Sequence, residues 1–115
     1  MEIKIIKKPI KLKELQKIAR EQFGCLIKAV VDVEKGVMAI AGEMHSDEEV
    51  VLMEKGSKRK DTWGINLYPE KPKSEWIEFD SIINIKPFYS NRSRGVENPK
   101  IRKKIKEVVE KLIIK

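Results

Sequence analysis

The 115-residue sequence is poor in the residue types from which many functional sites are built, since it contains one cysteine, Cys25, and one histidine, His45. A single cysteine cannot form an internal disulfide, which favours a reducing compartment, so we expect a cytoplasmic protein. One cysteine and one histidine exclude multi-histidine and cysteine-rich zinc sites within one protomer. We therefore expect neither a metal nor a cofactor.

Aromatic residues and long apolar runs are also scarce. Aromatic residues make up 6% of the chain, which is too few for an obvious platform on which nucleobases would stack. No apolar run approaches the roughly 18 residues needed to span a bilayer. We expect no membrane association.

Charge, in contrast, is abundant, because 37% of the residues are charged and the formal net charge is +7. A basic surface attracts phosphate groups, which makes nucleic acid or another phosphate-bearing ligand a candidate partner. Enrichment in lysine and glutamate is also typical of thermophile proteins, in which surface lysines need no ligand. The charge alone therefore does not establish a partner.

The spacing of apolar residues predicts an α+β fold with the element order βαββαβββα. Alternating apolar residues indicate strands, and apolar residues three and four positions apart indicate helices. The expected elements are a strand at Ile3–Ile5, a helix at Ile10–Phe23, strands at Leu26–Val33 and Val37–Ala41, a helix at Ser46–Met53, strands around Asn66, at Trp76–Phe79 and around Asn84, and a helix from Pro99. Adjacent strands joined by short turns predict a mainly antiparallel sheet with about three helices on one face, a two-layer single domain over residues 1–115.

Two of the expected helices begin with recognisable capping residues. Ser46 and Glu49 have the spacing of a capping box, in which the two side chains bind each other's backbone N–H groups. Asn98 followed by Pro99 predicts the start of the last helix, because asparagine caps a free N–H and proline needs no donor at the first position.

The most distinctive feature is an asparagine inside an apolar run closed by proline, which occurs twice, around Asn66 and around Asn84. Asparagine is uncommon in strands because its amide competes for backbone hydrogen bonds. Strand alternation places Asn66 and Tyr68 on the face opposite the helices, and it places Asn84 and Lys86 there as well. These four side chains are predicted to form a polar, ligand-binding shelf. The alternative is that Asn66 and Asn84 hydrogen-bond loops or face water on a solvated sheet surface.

The segment that follows the second asparagine contains Asn91, Arg92 and Arg94. Arginine binds phosphate or carboxylate groups through two parallel hydrogen bonds, and loops often carry binding residues. These three residues are predicted to bind an anionic group at the end of the polar shelf. An ordinary solvated turn is the alternative.

His45 lies between Glu43 and Asp47 and is the candidate catalytic residue. Imidazole is often used for proton transfer near neutral pH, and a carboxylate beside it can orient the ring. His45 is therefore a predicted acid/base group, with Glu43 or Asp47 as its orienting partner. For Asp47 a purely structural role is the alternative, because the helix dipole favours acidic residues in the first turn.

Six segments spread along the chain carry a further signal: Pro9–Ile10, Val31–Gly36, Gly42–His45, Gly56–Lys58, Trp63–Pro69 and Asn91–Val96. Together they resemble a family of small prokaryotic single-domain proteins of unknown function. The resemblance covers nearly the whole chain and implies one domain. It implies no activity and no site residues.

Three functions therefore stay open. The first is a binding module for nucleic acid or another phosphate-bearing ligand, in which cationic side chains supply affinity and Asn66 and Asn84 supply selectivity. The second is a small enzyme with His45 as acid/base and Arg92 and Arg94 as an anion clamp. The third is a structural or regulatory homo-oligomer with the asparagine-bearing face as its interface. We favour the first.

Overall fold

The computed structural model describes residues 2–115, which contain seven β-strands and three α-helices. The strands are β1 (Lys4–Ile6), β2 (Ile10–Lys11), β3 (Ile27–Asp32), β4 (Val37–Ile40), β5 (Thr62–Leu67), β6 (Ile77–Glu78) and β7 (Ile113–Ile114). The helices are α1 (Leu12–Gln22), α2 (His45–Glu54) and α3 (Pro99–Leu112).

Five of the strands form one antiparallel sheet in the order β1-β4-β3-β5-β6. The other two, β2 and β7, pair in parallel, with Ile10 opposite Ile113, and this pair connects the start of α1 to the end of α3. The predicted α+β class, mainly antiparallel sheet and three helices are confirmed, and the order of the elements agrees approximately.

We call the sheet surface that packs against α1 and α3 the first face. Apolar residues recur three or four positions apart in both helices, so each helix turns one apolar stripe toward the sheet. The buried cluster between them includes Leu15, Ile18, Ile105, Val109 and Leu112 from the helices and Ala29, Val31, Met38, Ile40, Trp63 and Ile65 from the strands. This layer is the main core of the described residues.

The ends of these two helices follow the sequence signals. Gly24 has a φ of +89° and its N–H donates to the carbonyl of Ala19 at 2.8 Å, which ends α1 in the left-handed turn that glycine adopts most easily. The side chain of Asn98 accepts a hydrogen bond from the N–H of Lys100 at 2.8 Å, and Pro99 is the first residue of α3.

The opposite surface of the sheet, which we call the second face, differs from the prediction because it is also covered. Leu52 of α2 packs there with Val30 and Ala39 of the central strands and with Ile83. Helices therefore lie on both faces of the sheet rather than on one. The reason is visible in β3, where Ala29, Val30 and Val31 are all fully buried, so both faces of this strand need cover.

The predicted capping box at the start of α2 is wrong. The residue that caps α2 is Met44, which offers no side-chain hydrogen bond, and Ser46 lies within the first turn. The carboxylate of Glu49 instead accepts hydrogen bonds from Thr62 Oγ1 at 2.6 Å and from the guanidinium of Arg59 at 2.9 Å. The charged guanidinium of Arg59 is a stronger partner for this carboxylate than a backbone amide at the helix start.

The second asparagine does not lie in a strand, which corrects the predicted equivalence of Asn66 and Asn84. Residues Ile82–Asn84 form a 3-10 turn, begun by Ser81, whose Oγ accepts from the N–H of Ile83. The turn crosses β5 at Gly64, where an added Cβ would lie 2.5 Å from Ser81 Oγ. Glycine at position 64 therefore lets the segment approach the strand closely.

Candidate functional site

A cleft of about 250 Å³ opens on the second face, between the start of α2 and the segment from Ser81 to Arg94. Its polar lining consists of Lys28, His45, Ser46, Ser81 and Arg94, and its apolar lining consists of Met44, Ile82 and Ile83. Two residues that the sequence singled out separately, His45 and Arg94, therefore meet in one cavity.

His45 is held in a defined orientation by the neighbouring strand. Its Nε2 lies 2.8 Å from the backbone oxygen of Ile65. A carbonyl oxygen only accepts, so Nε2 carries the proton, and in the neutral ring Nδ1 is left as an acceptor. Burial lowers the pKa of His45, and the charges of Lys28 and Arg94 lower it further, which outweighs the Ile65 hydrogen bond and Asp80 and favours the neutral ring.

Lys28 brings a cation to the cleft from the centre of the sheet. It lies on β3 opposite Asn66 of β5, and its neighbours in the strand are apolar. The ammonium also lies 5.4 Å from the centroid of the Phe23 ring. Lys28 was not singled out in the sequence, although a lysine inside a buried apolar strand was a signal that could have identified it.

Arg94 is positioned through its backbone. Its carbonyl accepts hydrogen bonds from the N–H of Ser81 and from Nδ2 of Asn84, both at 2.9 Å. Its side chain forms an ion pair with Asp80, in which Nε and Oδ1 are 2.6 Å apart and both side chains are about half exposed. An ion pair this exposed contributes little stability, so a ligand can compete with Asp80 for the guanidinium.

Two hydroxyl groups complete the polar lining, and the sequence did not single them out as site residues. Ser46 lies in the first turn of α2, where its side chain is exposed. Ser81 is buried behind it, and its Oγ accepts from Ile83 while its own proton remains available to donate. No sequence pattern distinguished Ser81, because its place in the cleft depends on the close approach to Gly64.

Asn66 and Tyr68 of the predicted shelf do lie together, but they are bound to an acidic residue. Asn66 Nδ2 donates to Glu78 at 2.8 Å, and the Tyr68 hydroxyl donates to the same carboxylate oxygen at 3.1 Å. Desolvation and this hydrogen bond raise the pKa of Tyr68. The two side chains belong to the pairing of β5 with β6, and neither lines the cleft.

The expectation that Asn84 is exposed is wrong, because its side chain is fully buried. Its Oδ1 accepts from the N–H of Gly64 at 2.8 Å, and its Nδ2 donates to the carbonyl of Gly64 at 2.9 Å. Since β6 pairs with β5 only at Asn66 and Leu67, the amide of Asn84 takes the place that a strand would occupy at Gly64. Its Nδ2 also donates to the carbonyl of Arg94 and so positions this residue of the cleft.

Lys86 and Asn91 were also expected at the surface and are instead buried. The Lys86 ammonium donates to the carbonyls of Arg59 and Thr62 and lies 3.9 Å from the ring centroid of Trp63. Burial lowers its pKa to about 8. The Asn91 side chain donates to three carbonyls in residues 84–95 and accepts from one backbone N–H. Both side chains hold the loop in place rather than facing a ligand.

The remaining predicted residues lie outside the cleft. Arg92 is exposed and its side chain does not line the cavity, while Glu43 lines a different depression with Gln22 and Phe23. Within the described residues, neither Glu43 nor Asp47 bonds to His45, whose only hydrogen-bonded partner is Ile65. The carboxylates expected to orient the imidazole therefore do not do so.

Other lysine and arginine residues, in the segment 58–60 and in α3, do not line the cleft. Lys58 and Lys60 line a separate depression of about 210 Å³ beside Asp32 and Asp61. Arg59 is paired with Glu49. The lysines of α3 belong to the helix that covers the first face. The cleft is thus a local concentration of cationic groups, separate from the general basic character of the chain.

Two negative findings apply to residues 2–115. None of their helices is both long and apolar enough to cross a membrane. They also contain no cluster of three or more histidine, cysteine or carboxylate side chains suited to a metal ion.

The fold and the cleft define an α+β domain with one cationic cavity on the second face of its sheet. Residues 4–112 match the family described as "Protein of unknown function (DUF5674)", and the chain belongs to that family. The resemblance seen in the sequence to a small family of unknown function is confirmed. No match was found among curated proteins or among solved structures.

Proposed function

We propose that the chain binds a phosphate-bearing ligand, with the anionic group held in the cleft of the second face. The observation that carries this proposal is the convergence of the cationic side chains of Lys28 and Arg94 on one cavity with the hydroxyls of Ser46 and Ser81. The neutral ring of His45 lines the same cavity and adds no charge. Cationic groups supply attraction for an anion, and hydroxyl and guanidinium donors match the several acceptor oxygens of a phosphate.

The dimensions of the cleft favour a small ligand or a single group of a larger one. Its volume of about 250 Å³ is below the roughly 300–1,000 Å³ of pockets that enclose a drug-sized molecule. Met44, Ile82 and Ile83 give it an apolar side. A phosphate attached to a compact, partly apolar group matches both the polar and the apolar lining.

We place this binding in a reducing cytoplasm because the chain has one cysteine.

Binding is better supported than acid/base catalysis. An imidazole used as a general base is usually oriented by a third group, and the predicted carboxylates of Glu43 and Asp47 do not contact His45. Binding is also better supported for a small ligand than for a nucleic-acid duplex, because the α3 lysines and the cleft are on different faces of the sheet.

The proposal is tested by calorimetric titration of three probes at low and at physiological salt: inorganic phosphate, a mononucleotide and single-stranded RNA. We expect the mononucleotide to bind with a stoichiometry of one. Arg94→Ala should weaken binding by about tenfold, because it removes one charge-assisted hydrogen bond. Asp80→Asn should strengthen binding, since it frees the guanidinium of Arg94.

Arg92→Ala is the matched control, because Arg92 carries the same charge in the same loop without lining the cleft. A loss as large for Arg92→Ala as for Arg94→Ala would show that only net charge matters and would contradict the cleft. Absence of binding by all three probes at low salt would contradict the proposal as a whole. Binding of RNA without the mononucleotide would assign the ligand to nucleic acid.

A further inference from the structure

We propose that the outer surface of the second face is where two copies of this chain associate. The surface consists of six exposed apolar side chains on α2 and on the segment that follows Ser81: Val50, Met53, Ile82, Ile85, Phe88 and Tyr89. We call these six residues the apolar surface. The inference does not depend on the proposed ligand, because five of the six residues lie outside the cleft.

The orientation of α2 is the first observation in favour. A surface helix normally buries its apolar residues and exposes its charged ones. In α2 the carboxylate residues Glu48 and Glu49 are buried, whereas Val50 and Met53 are exposed. A helix that presents apolar residues outward is typical of a surface that another molecule covers.

The second observation is the rigid presentation of the neighbouring segment. Arg59 connects Glu49 of α2 to the carbonyl of Ile85 at 3.4 Å, so the two parts of the apolar surface are neighbours. At the tip, Phe88 is 90% exposed and packs edge-to-face on Tyr89 at 5.0 Å. The buried side chains of Lys86 and Asn91 hold the base of this turn, so the aromatic tip is preorganised for contact.

The exposed apolar area accounts for most of what a dimer interface needs. A fully exposed aromatic side chain presents on the order of 150–250 Å², the aliphatic side chains of this surface present less, and the six exposures range from 40% to 90%. Together the side chains offer on the order of 600 Å², close to the roughly 800 Å² per partner of a standard interface. An apolar patch of this size is at the upper end of what a monomer exposes, and such patches often mark interaction sites.

The distribution of charge favours a second copy in a symmetric arrangement. The segment His45–Glu54 contains no lysine or arginine, whereas on the opposite side α3 contains five lysines and one arginine and α1 contains two lysines and one arginine. Two copies that meet through α2 keep their basic helices apart and lower the repulsion between chains of net charge +7. The same surface patch on both copies gives a closed dimer rather than a filament.

Sedimentation equilibrium from micromolar to millimolar concentration tests the proposal. We expect a concentration-dependent mass that approaches twice 13.4 kDa and stops there. Phe88→Asp and Met53→Lys should each raise the dissociation constant at least about tenfold, as expected for residues central to an interface. Higher salt should strengthen association, because it screens the repulsion between two basic chains.

Ile114→Asp is the matched control, since Ile114 is as exposed as Met53 but lies on β7, outside the apolar surface. Melting temperatures measured at micromolar concentration establish that each variant is folded, and either substitution alone is sufficient for the test. A monomer at millimolar concentration would overturn the proposal. So would a mass that grows beyond the dimer and is abolished by charge reversal in α3, because this would assign the contact to α2 against α3.

Discussion

On the first face of the sheet, α1 and α3 bury apolar side chains and keep their lysines in solvent, whereas on the second face α2 buries Glu48 and Glu49 and exposes Val50 and Met53. The first face is stabilised mainly by the removal of apolar area from water. The second face depends on polar side chains that hydrogen-bond to backbone groups. The main example is Asn84, which binds both the N–H and the C=O of Gly64. The cleft and the apolar surface both belong to the second face. The expected functions therefore lie on the face that polar side chains stabilise.

The two asparagines provide the strongest test of this difference. Asn84→Ala removes three buried hydrogen bonds, to both backbone groups of Gly64 and to the carbonyl of Arg94. At about 1 kcal/mol for each bond, the free energy of unfolding should fall by about 3 kcal/mol. Asn66→Ala removes a bond to the exposed Glu78 and should cost about 1 kcal/mol or less.

Urea denaturation of the two variants, followed by the fluorescence of Trp63 and Trp76 together, measures both values. Asn66 and Asn84 form a matched pair because each is an asparagine in the same short pattern. Equal losses for the two substitutions would contradict the claim that Asn84 replaces a strand on the second face.

A pH dependence of stability should distinguish Glu48 from its neighbour. Burial raises the pKa of Glu48 from 4.5 to about 9 in the folded chain. Between these pH values the unfolded chain has lost a proton that the folded chain keeps, so stability falls as pH rises, by up to about 1.4 kcal/mol per unit. Glu48→Gln keeps an acceptor for the N–H of Gly42 and removes the ionisation. It should raise stability at pH 6, which is 1.5 units above the unfolded pKa, by about 2 kcal/mol.

Glu49→Gln is the matched control, with an effect of opposite sign. The carboxylate of Glu49 is bound by Arg59 and Thr62, so its neutralisation removes an ion pair and should lower stability by about 1–2 kcal/mol. Thermal denaturation between pH 5 and pH 9 measures both variants. If Glu48→Gln melts with the same dependence on pH as the unsubstituted chain, the buried carboxyl is ionised in the folded state.

The smallest changes in stability are expected at exposed positions, and one such position on each face allows the two faces to be compared. Lys103→Ala on the solvent side of α3 and Val50→Lys on α2 should each change the stability of the monomer by no more than about 0.5 kcal/mol. Only Val50→Lys should weaken association, which sedimentation measures alongside a melting curve at low concentration. A destabilisation above 1 kcal/mol for Val50→Lys would show that Val50 packs within one chain.

The first face could be predicted from the sequence because its determinants are local. Apolar spacing, Gly24 and the Asn98–Pro99 pair each specify structure within a few residues, and all three agree with the observed helices. The second face could not be predicted in the same way. The patterns around Asn66 and Asn84 are alike locally, and the contact of Ser81 with the distant Gly64 decides that one forms a strand and the other a turn.

The candidate site also combines residues that the sequence indicates with contacts that only the fold creates. His45 and Arg94 were found from residue type and position, because few residues can supply an imidazole or a guanidinium. Their meeting in one cleft depends on Asn84, whose amide fixes the backbone of Arg94 across ten residues. Lys28 was detectable in principle as a charge within a buried strand, whereas Ser81 had no local signal.

The amide of Asn84 has one more consequence, for the limits of the sheet itself. β6 pairs with only two residues of β5. Without Asn84, the rest of that edge of β5 would present unpaired N–H and C=O groups, to which an extended peptide from another chain could bind. At Gly64 a side chain satisfies both groups, and unlike a strand it offers no new backbone edge to the next peptide. The residue that holds the backbone of Arg94 at the cleft also blocks strand addition to the sheet at this position.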